Sequence, residues 1–148
     1  MSIGFFTYLL STQVPGNPAL PVYGHDLSCT TDIDPGAAEV DGITSLAQSL
    51  LRRLITPRGT LIDDQNYGFD LSGYLNDDLS ASDLARVGSG VDAEMIKDER
   101  VLRSASTVTV LSQGVLSVAT LVTPSLGPTF RLVLAVSQVT ASVLLVSQ

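Results

Sequence analysis

Apolar residues between positions 41 and 55 recur at three- and four-residue spacing, which places them along one face of a helix. Asp41 stands where a helix N-cap is expected, and Asp34-Pro35 offers an earlier possible start. Arg52 and Arg53 fall in the last turn, where cations interact favourably with the helix dipole. Thr56-Pro57 then ends the predicted helix, because the residue before a proline disfavours helical angles. The apolar face comprises Ile43, Leu46, Ala47, Leu50, Leu51, Leu54 and Ile55.

A second helical pattern follows a turn-rich segment and a short helix predicted over residues 71–75. Ser80-Ala81-Ser82-Asp83 has the spacing of a capping box and opens a helix predicted to run to about residue 98. Gly88 and Gly90 are expected to weaken this helix by about 1 kcal/mol each relative to alanine. Its apolar stripe consists of Leu84, Val87, Val91 and Met95.

From residue 106 the apolar period changes to two, which is the spacing of β-strands. Turn signals lie at Gln113-Gly114, at residues 124–128 and at Ser137-Gln138. Consecutive strands joined by short turns form an antiparallel sheet, so the predicted class is α+β, with two or three helices packed on a mainly antiparallel C-terminal β-sheet. The predicted strands are residues 107–111, 115–122, 129–136 and 139–146.

Charge is distributed unevenly along the chain. All acidic residues lie between Asp26 and Glu99, and after Arg103 the one charged side chain is Arg131. Residues 1–31 are predicted to form a Pro/Gly-rich N-terminal arm, and residues 32–148 one domain, which suits a chain of 148 residues. The arm has an apolar tip, and it either folds back onto the domain or docks on a neighbouring molecule.

Composition argues against several functional classes. A net charge of −7 and an isoelectric point near 4.3 argue against a nucleic-acid partner, which lysine and arginine would have to bind. A single cysteine, Cys29, excludes a disulfide framework, and a single histidine, His25, excludes multi-histidine metal sites. No cofactor or metal is expected. The uncharged C-terminal runs are interrupted by polar residues, so strands are predicted instead of a membrane span, and no membrane partner is expected.

Catalysis is not expected either. The acidic pairs Asp63/Asp64, Asp77/Asp78 and Asp98/Glu99 have the residue types that glycoside cleavage uses, but adjacent carboxylates usually point apart. His25-Asp26 could combine a base with an orienting carboxylate, but it lies in the proline-rich arm, where precise positioning is difficult. The sequence therefore predicts a protein that is not an enzyme.

Two short segments carry a resemblance to a known family. Arg53-Leu54-Ile55-Thr56-Pro57-Arg58-Gly59, followed by Tyr67-Gly68-Phe69-Asp70-Leu71, resembles the signature of the lysozyme-like baseplate wedge proteins of contractile phage tails. These proteins are also called sheath initiators, and type VI secretion baseplates have counterparts of them. In that family an acidic-Pro-Arg motif precedes the β-rich end. Here Asp98 replaces the usual Glu, Glu99 replaces the usual Pro, and Arg100 matches. The resemblance spans about residues 32–146.

The resemblance implies a structural role in tail assembly. Members of the family lie in the baseplate around the tail tube and template the first sheath ring by β-strand addition. The implied partners are the tail sheath protein and baseplate wedge proteins, with tail tube or hub proteins as further candidates and six copies per baseplate. The implied location is the tail baseplate of a virion that is assembled in the host cytoplasm.

Interface residues are expected in two places. Asp98, Arg100 and Arg58 are the charged candidates, since an arginine fork can hold a carboxylate either within the fold or across an interface. The uncharged last strand is the second expected interface, because sheet edges normally carry charge or proline unless another segment covers them. That strand lies either at a covered edge or in the centre of the sheet. Its candidate positions are Val139, Ala141, Val143 and Leu145.

Two alternative functions remain open from the sequence. One is a tail-associated peptidoglycan hydrolase, although the word lysozyme in the family name does not itself imply hydrolysis. The other is a regulatory adaptor, because some relatives of this fold inhibit a proteolysis adaptor in bacteria.

Overall fold

The computed structural model describes residues 23–29, 36–75, 78–112, 114–137 and 141–147. Strands β1 (His25–Leu27) and β2 (Glu39–Asp41) form a small antiparallel pair before helix α1 (Gly42–Ile55). A 3-10 turn (Leu71–Tyr74) and helix α2 (Ala81–Met95) come next. The last four strands are β3 (Val101–Ser112), β4 (Val115–Pro124), β5 (Phe130–Ser137) and β6 (Ala141–Ser147). The predicted α+β class is confirmed.

The C-terminal sheet is a meander in the order β3-β4-β5-β6, and each strand is antiparallel to the next. Among the described strands, β3 and β6 are therefore the two edges. Alternate residues face the helices and are buried, as the register Val108–Val118–Leu134 illustrates. The period-two pattern of the sequence thus corresponds to one buried and one open face.

Helix α1 buries the apolar face that its sequence predicts. Leu46, Leu50 and Leu54 are fully buried, and burying each leucine stabilises the fold by about 1.5–3 kcal/mol. Asp41 occupies the N-cap position with extended backbone, but its side chain makes no capping hydrogen bond. The helix ends at Thr56, whose N–H donates to the Arg52 carbonyl at 3.0 Å. The helix prediction is confirmed, and Asp41 caps it by position alone.

Helix α2 begins with the predicted capping box. The Asp83 N–H donates to the Ser80 hydroxyl at 3.3 Å, and the Ser80 N–H donates to the Asp83 carboxylate at 3.1 Å. The helix ends at Met95, about three residues before the predicted end. Lys97 and Asp98 instead make i−3 turn hydrogen bonds, which lead the chain directly into β3.

Helix α2 packs so closely on β3 that it covers the outer side of this strand. A Cβ atom on Gly88 would stand 3.2 Å from the Ser106 carbonyl oxygen, so the glycine permits the approach. Asp92 accepts hydrogen bonds from the Ser106 N–H at 3.2 Å and from the Ser104 hydroxyl at 2.7 Å. These contacts begin β3 at Val101, earlier than the predicted residue 107. Gly88, which the sequence predicts to weaken the helix, is thus the residue that allows α2 to pack closely on β3.

The described part of the predicted arm, residues 23–29, packs onto the domain. Tyr23 is buried in the core, and the Cys29 N–H donates to Gln48 on α1 at 2.9 Å. Asp26 forms an ion pair with Arg52 on the same helix. The predicted boundary at residue 31 thus places in the arm a strand that the structure joins to the domain. The proline and glycine content of the sequence did not predict these contacts, because they depend on residues that are distant in the chain.

The segment that joins α1 to the 3-10 turn doubles back on the end of α1. The Phe69 N–H donates to the Arg53 carbonyl at 3.2 Å, which brings Gly68 against the Thr56 carbonyl. Gly68 has φ of +103°, and a Cβ there would overlap the Thr56 carbonyl oxygen. Gly59 also has positive φ, +84°, but nothing lies within 4 Å of the position of its Cβ.

We predict that Gly68→Ala lowers the free energy of unfolding by about 2–5 kcal/mol, through left-handed strain together with a backbone clash. Gly59→Ala carries the strain alone and is expected to cost about 1 kcal/mol. Urea unfolding of both variants measures the difference. Equal losses in the two variants would contradict the close approach of Gly68 to Thr56.

Candidate functional site

The carboxylate of Glu94, near the end of α2, is completely buried and surrounded by cations. Its Oε1 accepts from Arg53 Nη1 at 3.1 Å and from the Gly68 N–H at 3.0 Å. Its Oε2 accepts from Arg58 Nη2 at 2.8 Å and from Lys97 Nζ at 2.7 Å. Four donors from four points of the chain therefore meet on one acidic side chain, which we call the Glu94 cluster.

The Glu94 cluster holds the carboxylate in its charged form. Burial acts to raise the pKa of Glu94, but hydrogen bonds from Lys97, the Gly68 N–H and Arg53 outweigh burial and lower the pKa below its ordinary value. Arg53 also lies over the ring of Tyr67, with its guanidinium carbon 4.3 Å from the ring centroid. The cluster thus fixes the loop of residues 56–68 to both helices.

Sequence reasoning missed Glu94, although a signal for it exists. The residue lies seven positions after Val87 and three after Val91, so it falls on the apolar stripe of α2. A carboxylate on a buried helix face requires cations, and the resemblance segment supplies Arg53 and Arg58. Arg58, a predicted interface residue, lies in this cluster with its side chain 51% exposed.

The predicted pair Asp98 and Arg100 forms a two-pronged ion pair within the chain. Arg100 Nε donates to Asp98 Oδ1 at 2.8 Å, and Nη2 donates to Oδ2 at 2.7 Å. The remaining nitrogen, Nη1, donates to the Tyr23 carbonyl at 2.8 Å. Burial acts to raise the pKa of Asp98, but the hydrogen bonds from Arg100 lower it below its usual value. Glu99, which replaces the proline of the family motif, is exposed beside this pair.

The candidate strand positions lie on the edge strand β6 as far as the structure describes them. Ala141, Val143 and Leu145 pair through their backbones with Val136, Leu134 and Val133. Val139 lies outside the described residues. Of the two positions left open by the sequence, the structure places β6 at the edge of the sheet, next to β5, among the strands that it describes.

The direction of the β6 peptide groups follows from the ladder, because successive residues of a strand direct their N–H and C=O groups to opposite sides. The Ser106 N–H donates to α2, so Ser106 and Thr120 are not a hydrogen-bonded pair. By alternation across the register, Leu134 bonds to β4, and its other neighbour, Val143, directs its N–H away from β5. The Val143 N–H of β6, next to the register shift between Val133 and Leu134, thus faces outward, whereas the Ser106 N–H of β3 meets α2.

The predicted charged and strand candidates therefore form separate groups. Asp98 and Arg100 are together, Arg58 belongs to the Glu94 cluster, and the strand positions follow the β6 edge. Arg53 connects the first two groups electrostatically, since it also lowers the pKa of Asp98. The arrangement consists of ion pairs that position a loop and a strand, with a line of backbone donors at the edge.

The residues considered for catalysis are dispersed. Asp63 and Asp64 are exposed on the loop, and Asp98 is held by Arg100. Asp77 lies outside the described residues, whereas Asp78 lines a groove of about 370 Å3 beside the stacked rings of Phe69 and Tyr74. Among the residues that the structure describes, no group of three or more His, Cys, Asp or Glu side chains is placed to hold a metal ion.

Comparison with known proteins adds no family assignment: neither the protein-family models nor the curated proteins contain a match to this chain. No helix within the described ranges is long and apolar enough to cross a membrane.

We predict that Glu94→Gln lowers the free energy of unfolding at pH 7 by about 3–5 kcal/mol, since it leaves the largely buried Arg53 without its charge partner. The pKa of Glu94 is lower in the folded chain than its ordinary 4.5. Its contribution is therefore full above about pH 4.5 and is lost as the pH falls through the folded value. The gap between the wild-type and variant proteins should narrow in unfolding experiments towards pH 3.

Glu99→Gln is the matched control, because it removes one charge from an exposed side chain that makes none of the contacts of the Glu94 cluster. Its effect is expected to stay within about 0.5 kcal/mol. A gap between wild type and Glu94→Gln that is independent of pH would contradict ionisation as its cause.

Proposed function

We propose that this chain is a structural component of a contractile tail baseplate, which binds wedge proteins and templates the first sheath ring by β-strand addition. The observation that carries the proposal is the contrast between the two sheet edges. Helix α2 covers the first half of β3 around Ser106, while β6 ends the described sheet without Asp, Glu, Lys, Arg or Pro between Ala141 and Ser147. An uncharged edge of this kind suits a strand that another chain completes.

The resemblance segment supports the same proposal from a different direction. Its Arg53, Arg58 and Gly68 all bind Glu94, so the segment acts as one structural unit rather than as scattered matches. Asp98 and Arg100 retain the carboxylate–arginine pairing despite both departures from the family motif. These residues stiffen the domain that presents β6.

The proposed partners are the tail sheath protein and baseplate wedge proteins, with tail tube or hub proteins as further candidates. The half-exposed Arg58 and the Asp98–Arg100 pair have hydrogen-bond partners outside β6, and we assign them to the wedge side of the assembly. Six copies per baseplate and a position in the virion tail belong to this proposal as well.

We predict that Val143→Pro blocks sheath attachment, because proline removes an N–H that points away from β5 while edge strands tolerate it. Val143→Ala shortens the same side chain and keeps the N–H, so it is the matched control. Negative-stain microscopy of particles that carry each variant is the measurement. We expect baseplates and tubes without sheath for Val143→Pro, and normally sheathed tails for Val143→Ala.

Circular dichroism of the purified variants establishes that both chains fold. If the Val143→Pro chain is folded and its tails are normally sheathed, β6 is not the docking edge. A zymogram with the purified wild-type chain addresses the hydrolase alternative. Clearing that a single carboxylate substitution abolishes would replace the structural function with an enzymatic one.

A further inference from the structure

The sheet face opposite the helices consists mainly of small, uncharged side chains. Its residues alternate with the buried ones along β3, β4 and β5, and they belong neither to the core nor to the apolar residues packed against it. We call this surface the open face. Its centre comprises Ala105, Thr107, Ser117, Ala119, Val133 and Ala135.

One end of the open face carries exposed leucines beside two exposed arginines, Arg103 and Arg131, which the register places on the same face. Leu121, which pairs with Ala105 and Arg131, is 52% exposed on the face itself. Leu102 and Leu126, near the start of β3 and in the β4–β5 turn, are 69% and 70% exposed. They lie at the same end of the sheet, because Val101 pairs with Pro124. Three large leucines in one region form a patch that favours coverage by another apolar segment.

The N-terminal chain enters the fold at this same end. The Tyr23 hydroxyl donates to the Leu126 carbonyl at 2.7 Å, and the Tyr23 carbonyl accepts from Arg100 at 2.8 Å. The described chain therefore begins, at Tyr23, beside the leucine patch.

Residues 1–22 have the composition and the reach to cover the open face. They contain no Asp, Glu, Lys or Arg in a chain whose net charge is −7, and their apolar side chains concentrate in residues 3–10. The thirteen residue-to-residue steps from Leu10 to Tyr23 span at most about 45 Å when extended, whereas the ten residues of β4 span about 34 Å. Contact with the open face would desolvate no charged side chain of the segment.

We propose that residues 1–22 of the same chain dock on the open face, with residues 3–10 against its centre. Tethering at Tyr23 gives the segment an effective concentration on the order of millimolar at this surface, which favours its own chain over a second molecule. This docking goes beyond the baseplate function and does not depend on it. It covers the open face and leaves the β6 edge available.

Crosslinking in the full-length chain tests the proposal. In a Cys29→Ser background, Phe6→Cys is combined with Ala119→Cys at the centre of the open face. The control combines Phe6→Cys with Ala85→Cys, which replaces an equally small, exposed residue on α2. A short bismaleimide probes each pair, and mass spectrometry with non-reducing gels distinguishes links within one chain from links between chains.

We expect the Ala119 pair to link within one chain at least about tenfold faster than the Ala85 pair, as tethered docking requires. Links mainly between chains would assign the open face to a second copy and overturn the proposal. Equal rates for the two pairs would show that the segment does not dock there, and would leave the face to a different protein.

Two further variants test the proposal independently, in case one cysteine variant does not fold. Ala135→Cys repeats the test on β5 and is expected to behave like Ala119→Cys. In the otherwise unaltered full-length chain, Phe6→Asp is expected to expose the face and to increase the fluorescence of an added hydrophobic dye. Unchanged fluorescence in a folded Phe6→Asp variant would contradict docking of the segment.

Discussion

The fold depends on the buried carboxylate of Glu94. A lone ionised group in this position would be too costly to bury, so its four donors must be brought to it. Arg53 comes from the end of α1, Arg58 and Gly68 from the following loop, and Lys97 from the turn after α2. The same charge therefore determines how the helices approach each other, where the loop doubles back and how the chain leaves α2 for the sheet.

Placement of α2 in turn makes the two edges of the sheet unequal. Gly88 permits the helix to touch the Ser106 carbonyl, and Asp92 accepts the hydrogen bond from the neighbouring N–H. Groups that would otherwise pair with another strand are thus occupied on β3. At the other end of the described sheet, the Val143 N–H on β6 points outward. A partner strand of the kind that we propose would meet β6, because β3 is already covered in its first half.

Residues that resemble the baseplate family act in this chain mainly as structural elements. Arg53, Arg58 and Gly68 converge on Glu94, while Asp98 and Arg100 hold Tyr23 and the entering chain. Their contribution to the proposed sheath-docking edge would be indirect, through the stiffness and orientation of the strands. Substitution of the family's proline by Glu99 leaves the ion pair intact, because this position is exposed between two residues that bond to each other.

The sequence alone determined the elements whose signals are local. The α1 stripe, the Ser80–Asp83 capping box and the alternation of β4 and β5 follow from spacing, so the α+β class could be predicted. The spacing of residues was enough to identify Glu94 as an acid on a buried stripe. It was not enough to identify the four donors that bind this carboxylate. The early start of β3, the packing of Tyr23 and the edge position of β6 were decided by tertiary structure. Each of these features is stabilised by contacts between residues far apart in the chain, and the local spacing of residues does not predict such contacts.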